Sequence, residues 1–200
     1  LDYQVPVSFP LTVSTEFTYT KKIHDVLIDD YNIKDNSTWE TLKGTGDNRH
    51  IYPSDYQYYK KKNASVLTNT SEGYGWTYNL TVNAEPIKNL NLMAAYTHTV
   101  MKEMTGMPGN NAYSVWSSMY TVEGPNFLKL SNSRYVIPDR IIASANYTYG
   151  KDHFSLFYQG YSPSGYSFFY DGDINGDGNR NDMMYIPKDE NDIHFTKAED

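Results

Sequence analysis

Residues 171–182 read Asp-Gly-Asp-Ile-Asn-Gly-Asp-Gly-Asn-Arg-Asn-Asp, the one stretch of the chain whose spacing suits a metal ion. Oxygen-bearing side chains at alternate positions converge on a hard cation when a glycine lets the loop fold sharply, as in the calcium loop of helix-loop-helix proteins. With Asp171 in first position, Asp173 and Asn175 fall third and fifth, Gly176 sixth, Asp177 seventh and Asp182 twelfth, where that loop has Glu. A second frame starting at Asp173 fits through Asn175, Asp177 and Gly178 but puts Met184 twelfth. The expectation is a calcium loop with Asp171, Asp173, Asn175 and Asp182 as side-chain ligands and Asp177 supplying its carbonyl. No helix is predicted on either side, which excludes a true helix-loop-helix hand. The competing reading is a cluster of Asn/Asp/Gly turns, since these residues accept left-handed backbone and cap their own turns.

Little else in the chain carries chemistry. The histidines at 24, 50, 98, 153 and 194 form no close pair and no H-E-x-x-H element, and there is no G-x-S-x-G and no phosphate-binding glycine loop. No catalytic residues are assigned, and an enzyme is not expected. With no Cys there is no disulfide framework, thiolate metal site or Cys nucleophile. The 24 acidic and 17 basic residues give a net charge of −7, and no basic cluster exceeds Lys60-Lys61-Lys62, which argues against nucleic acid as a partner. Residues 44–47 resemble a turn. Asn36, Asn63, Asn69, Asn79 and Asn146 sit in N-x-[ST] form, as an Asn/Thr-rich composition produces by itself.

The elements that hold these loops alternate apolar and polar residues. In residues 73–100, Tyr74, Trp76, Tyr78, Leu80, Val82 and Ala84 share one face of a strand, and Gly75, Thr77, Asn79, Thr81, Asn83 and Glu85 the other. Residues 86–89, Pro-Ile-Lys-Asn, form the expected turn. Leu90, Leu92, Ala94 and Tyr96 then oppose Asn91, Met93, Ala95, Thr97 and Thr99, completing an antiparallel pair. The pattern recurs at Leu11, Val13, Phe17 and Tyr19, and at Ile141, Ala143, Ala145, Tyr147 and Tyr149, where Ile142 breaks it. In the next segment Phe154, Leu156 and Tyr158 alternate with polar residues while Phe157 falls on the polar side.

Each clean segment has about 9 to 11 residues, the length a tilted strand needs to cross a bilayer, and no apolar run approaches the roughly 20 residues of a membrane helix. Short links at residues 86–89 and 150–153 alternate with long ones, near 32–72 and 105–138. Outer-membrane barrels have short periplasmic turns and long extracellular loops, whereas loops beyond about 12 to 15 residues are uncommon in soluble domains. With 20 Tyr, 8 Phe and 3 Trp, the composition also suits a membrane-water boundary, an antibody-like contact surface or a sugar-binding face. The chain is therefore expected to be all-β, a fragment of an antiparallel transmembrane β-barrel with about five meandering strands, short periplasmic turns and long extracellular loops. No domain boundary is evident. The start in mid-pattern and the acidic end lead to the expectation of a piece from a longer protein. A soluble sandwich with one buried face is the alternative architecture.

The order of features in residues 12–186 resembles the C-terminal barrel region of the TonB-dependent receptors of Bacteroidota, especially the Oar-like group. The residues that carry the likeness are Val136-Ile137-Pro138-Asp139-Arg140 leading into a strand, the segment 154–165, and Tyr170 with the acidic loop running into Met183-Met184-Tyr185-Ile186-Pro187. Residues 17–22 followed by Val26-Leu27-Ile28 look like another strand and loop of that group. The resemblance implies a receptor/transporter in the cell outer membrane, with a barrel of about 22 strands around a plug. It further implies contact with outer-membrane lipid, energy from a TonB-type transducing protein that engages an N-terminal segment not in these residues, and uptake of an unidentified nutrient. Residues 1–200 would be part of that barrel domain, without plug or remaining strands. The competing function is a secreted calcium-binding β-rich adhesin or glycan-binding module.

Overall fold

The computed structural model describes residues 1–42 and 46–187. Gly44 of the turn expected at 44–47, and His194, lie outside the described residues. The elements in chain order are β1 (Asp2–Gln4), β2 (Leu11–Lys21), β3 (Asp25–Asp30), β4 (Ser65–Thr70), β5 (Tyr74–Ile87), β6 (Leu90–Glu103), α1 (Ala112–Ser117), β7 (Ser131–Asn132), β8 (Asp139–Tyr149) and β9 (Asp152–Tyr161). The molecule is mostly antiparallel sheet. Its one helix among the described residues has 6 residues, so none is long and apolar enough to cross a membrane.

Two units share the chain by turns. The first comprises Leu1–Ile23, Glu72–Glu103 and Ser131–Gly165, and the second His24–Ser71, Met104–Leu130 and Tyr166–Asp200. Because the chain alternates between them, no composition shift marks a boundary.

The first unit is a sheet in the order β1-β2-β5-β6-β8-β9, with β7 beside the end of β6. Its five long strands have 10 to 14 residues and pair antiparallel. The register fixes the faces, because a one-residue slip would exchange them. Leu80 lies between Thr15 and Tyr96, Val82 between Val13 and Ala94, and Ala143 between Ala94 and Tyr158. All the apolar sets read from the alternation therefore fall on one face. Opposite them, Thr81 aligns with Ser14 and Ala95, and Ser144 with Met93 and Phe157. On this polar face side chains bond across strands: Thr77 to Thr99 at 3.3 Å, Thr97 Oγ1 donating to Asn79 Oδ1 at 3.2 Å, and Thr148 to His153 at 3.0 Å. Ile142 and Phe157 belong to that face, as their places in the alternation require.

Both short links are tighter than expected, that at 150–153 being only Gly150 and Lys151. The turn predicted over residues 86–89 is only Lys88 and Asn89, since β5 continues through Pro86 to Ile87. A bulge between Ala84 and Ile87 takes up the residue whose nitrogen lacks a hydrogen to donate. Asn89 turns the chain with φ 65°, and Gly150 does the same between β8 and β9 with φ 61°.

The second unit holds all six buried hydrophobic side chains among the described residues: Ile28, Ile33, Tyr52, Val115, Trp116 and Met119. Trp39, Tyr56, Ala112, Phe127 and Leu128 pack around them. β4 and the short α1 therefore lie inside the expected long links, and β3, at the strand suggested by Val26-Leu27-Ile28, pairs with β4. Such a short helix is marginal alone. A capping box starts it, Asn111 Oδ1 accepting from Ser114 N at 3.0 Å and Ser114 Oγ accepting from Asn111 N at 3.2 Å. Tertiary contacts then hold it. Trp116 Nε1 donates to Asn126 Oδ1 at 2.7 Å, and the same amide bonds the β3 backbone at Asp30 on both sides, at 2.8 and 2.7 Å.

Candidate functional site

The acidic loop lies in the second unit, and its backbone winds around its own carboxylates. Asp173 Oδ1 accepts from Gly176 N at 2.6 Å and Asp177 N at 3.1 Å, and its Oδ2 from Gly178 N at 2.9 Å. Left-handed φ angles of 83° at Gly176 and 88° at Gly178 aim those N–H groups inward, which is why glycine stands there. Asp182 Oδ2 closes the loop, accepting from Ile174 N at 2.7 Å and Asn175 N at 3.4 Å. Asn175 is fully buried: its Oδ1 accepts from Asp177 N at 2.9 Å and its carbonyl from Tyr52 N at 2.7 Å. Asp177 is buried as well, its Oδ1 accepting from Asn179 N at 2.7 Å. The structure thus brings Asp173, Asn175, Asp177 and Asp182 into one network and leaves Asp171 exposed at its start.

Electrostatics distinguish these carboxylates. Burial first, then the charges of Asp182 and Asp173, push the Asp177 carboxyl up to about 6 against the hydrogen bond from Asn179. Burial also raises Asp182, opposed by its two backbone hydrogen bonds and by Arg49. Tyr52, beside them, is raised by burial and by the charge of Asp177. Most of the oxygens satisfy the loop's own N–H groups, and among the described residues no three His, Asp or Glu side chains are grouped to hold a metal ion.

Arg49 belongs to this site, and the linear pattern around it gives no sign of that. It is 0% exposed, its guanidinium 2.7 Å from Asp47 and 3.8 Å from Asp182, with Nη2 donating to Met183 O at 2.7 Å. The ring of Tyr170 stacks 5.3 Å from it. His50, next in sequence, binds Glu123 through its backbone N at 3.0 Å and its ring at 2.8 Å. Burial raises the Glu123 carboxyl, but these bonds and the charges of His50 and Lys129 outweigh it and leave it below its usual value. The arrangement cross-links chain segments by buried charge.

The second candidate surface is the apolar face of the first unit. Phe17 is 63% exposed and Leu156 71%, far from the burial a soluble core requires. A shallow groove of about 400 Å³ crosses the face between Val82, Leu92, Ala94, Ala143 and Leu156. Toward the β3 and β6–β8 connections the face carries Phe17 and Tyr19 on β2 beside Tyr78 and Trp76 on β5. Tyr147 and Phe154 pair near the short turns. In the first of these belts Asp139 Oδ1 accepts from the Tyr96 hydroxyl at 2.6 Å and meets His98 Nδ1 at 2.8 Å.

No family model, curated protein or solved structure matches the chain.

Proposed function

We propose that this chain forms five consecutive strands and three outer loops of an outer-membrane β-barrel belonging to a TonB-dependent receptor, and that the loops help capture a nutrient for uptake. The observation that carries the reading is the sheet's apolar face, with aromatic residues toward both ends and mostly aliphatic ones, together with Tyr96 and Tyr158, between them, backed by a polar face. Ten residues separate Val100, beside Trp76, from Leu90, beside Tyr147. That is about 34 Å along a strand, or about 26 Å across the bilayer at a tilt of about 40°. The lipid-facing band of such barrels has about that height. A soluble sandwich would have to cover the face, whereas a bilayer covers it with acyl chains. The long connections, with their own buried core, suit a rigid outer surface for recognition.

The test is arginine scanning in the full-length protein. Arg at Leu80 or Ala143 should impair assembly by about 2 to 4 kcal/mol for a midplane position, while Arg at Thr81 or Ser144 should be mild. Assembly is read as the heat-modifiable, membrane-extracted fraction. Equal tolerance at both pairs would remove the lipid-facing assignment, and a mirrored result would invert the faces.

A further inference from the structure

Residues 58–62, Tyr-Tyr-Lys-Lys-Lys, are the longest basic run of an acidic chain, and neither the buried loop network nor the sheet makes use of them. All five are exposed, Tyr58 at 64% and Tyr59 at 74%. The segment is nonetheless held firmly from beneath. Buried Asn32 donates through Nδ2 to the carbonyls of Tyr59 and Lys62, both at 2.7 Å, and accepts from Tyr59 N through Oδ1 at 2.8 Å. Its own carbonyl accepts from Tyr58 N at 2.9 Å. Asp30, 1% exposed, secures both strands of this pedestal, its Oδ1 accepting from Asn32 N at 2.9 Å and Ala64 N at 2.8 Å.

Two details point to use rather than accident. Lys61 has φ 55°, a left-handed conformation in which Gly or Asn costs less than a long side chain. Asp55, the nearest carboxylate in sequence, is bound by Lys34 at 2.8 Å, and Lys60, Lys61 and Lys62 are all exposed. The surface therefore combines two phenol rings and three point charges on a preorganised backbone. A ring face with a polar tip suits the flat, amphipathic face of a sugar. Lysines, as compact charges on flexible stems, suit anions spaced along a polymer, whereas fixed bidentate anions favour Arg. Nucleic acid is the poorer match, because a duplex site typically uses about 6 to 10 phosphate contacts and the chain as a whole is negative.

We propose that the knuckle formed by Tyr58, Tyr59, Lys60, Lys61 and Lys62 is a docking surface for an acidic polysaccharide, the lysines taking its carboxylates and the tyrosines stacking on its rings. The proposal stands apart from the membrane reading, because the knuckle is the same surface in a secreted protein.

The test is affinity electrophoresis of the full chain in detergent through gels holding polygalacturonate, neutral dextran or duplex DNA. Wild type should be retarded by polygalacturonate at about 50 mM salt, less so as salt rises, and not by dextran. Lys60→Gln/Lys61→Gln/Lys62→Gln should abolish the retardation, and Tyr58→Ser/Tyr59→Ser should weaken it about tenfold. Both variants should keep the far-ultraviolet circular dichroism of the parent, since all the changed side chains are exposed. Absent retardation of wild type, retardation unchanged in either variant, or equal retardation by DNA would each overturn the proposal.

Discussion

Arg49 is a full charge held without solvent, so removing it tests how the second unit is held together. Its loss would remove the buried counter-charge of Asp182 and one partner of Asp47, and breaking a buried pair typically costs about 3 to 5 kcal/mol. Arg49→Met should lower stability by that amount in thermal unfolding, although the methionine fills much of the same volume. Asp177 supplies the opposite case, a carboxylate whose ionisation works against the fold. Its folded value of about 6 lies above the ordinary 3.8, so between these values the folded state binds more protons than the unfolded one. Stability should therefore fall as pH rises through that window, by at most about 3 kcal/mol. Asp177→Asn should flatten the profile and stabilise the protein at pH 7. Calcium would alter the sign, because protons would then compete with a bound cation. If the loop is a calcium site, adding calcium at about 1 mM should flatten or reverse the slope in wild type alone; an unchanged slope marks a loop capped by its own backbone.

At the scale of elements, what could be read in the sequence is what repeats locally. A period of two set the apolar face of β2, β5, β6, β8 and most of β9, because every second residue of a strand meets the same surroundings. The placing of Ile142 and Phe157 on the polar face followed from the same arithmetic. Pro86 misled, since proline usually marks a turn, and here a bulge carries it inside β5. The hairpin of β3 and β4 stayed hidden, apart from the hint at Val26-Leu27-Ile28, because its partners are drawn from residues 25 and 70 across a long insertion. Arg49 was unreadable for the same reason, its carbonyl partner Met183 lying 134 residues away. The acidic loop stood out by composition, but whether its oxygens face a cation or its own N–H groups depends on backbone angles that composition does not specify. The short turns carry a prediction of their own. Gly150→Val should cost about 1 to 2 kcal/mol, because a branched side chain is forced into left-handed backbone. Asn89→Gly, at φ 65°, should leave stability nearly unchanged. Both are read by thermal unfolding, and equal effects would mean that the two turns do not use these angles.

For the whole molecule, the proposed outer-membrane reading assigns the second unit to the outside and the short turns to the periplasm, and lysines happen to sit where that difference can be read. Lys60, Lys61 and Lys62 are exposed in the second unit, while Lys88 and Lys151 are exposed in the turns that follow β5 and β8. Trypsin cuts after lysine wherever the backbone is accessible, and exposed loop tips are its preferred sites. Lysines are exposed at all three places, and digestion of the isolated protein is the control against which selectivity on cells is read. Trypsin added to intact cells carrying the full-length protein should cut at residues 60–62 and spare Lys88 and Lys151, and after the outer membrane is permeabilised the turns should be cut as well. The products are read by mass spectrometry of the terminal fragments. Cleavage on intact cells confined to Lys88 and Lys151 would reverse the orientation, and cleavage at all three sites without permeabilisation would mean that no bilayer separates them.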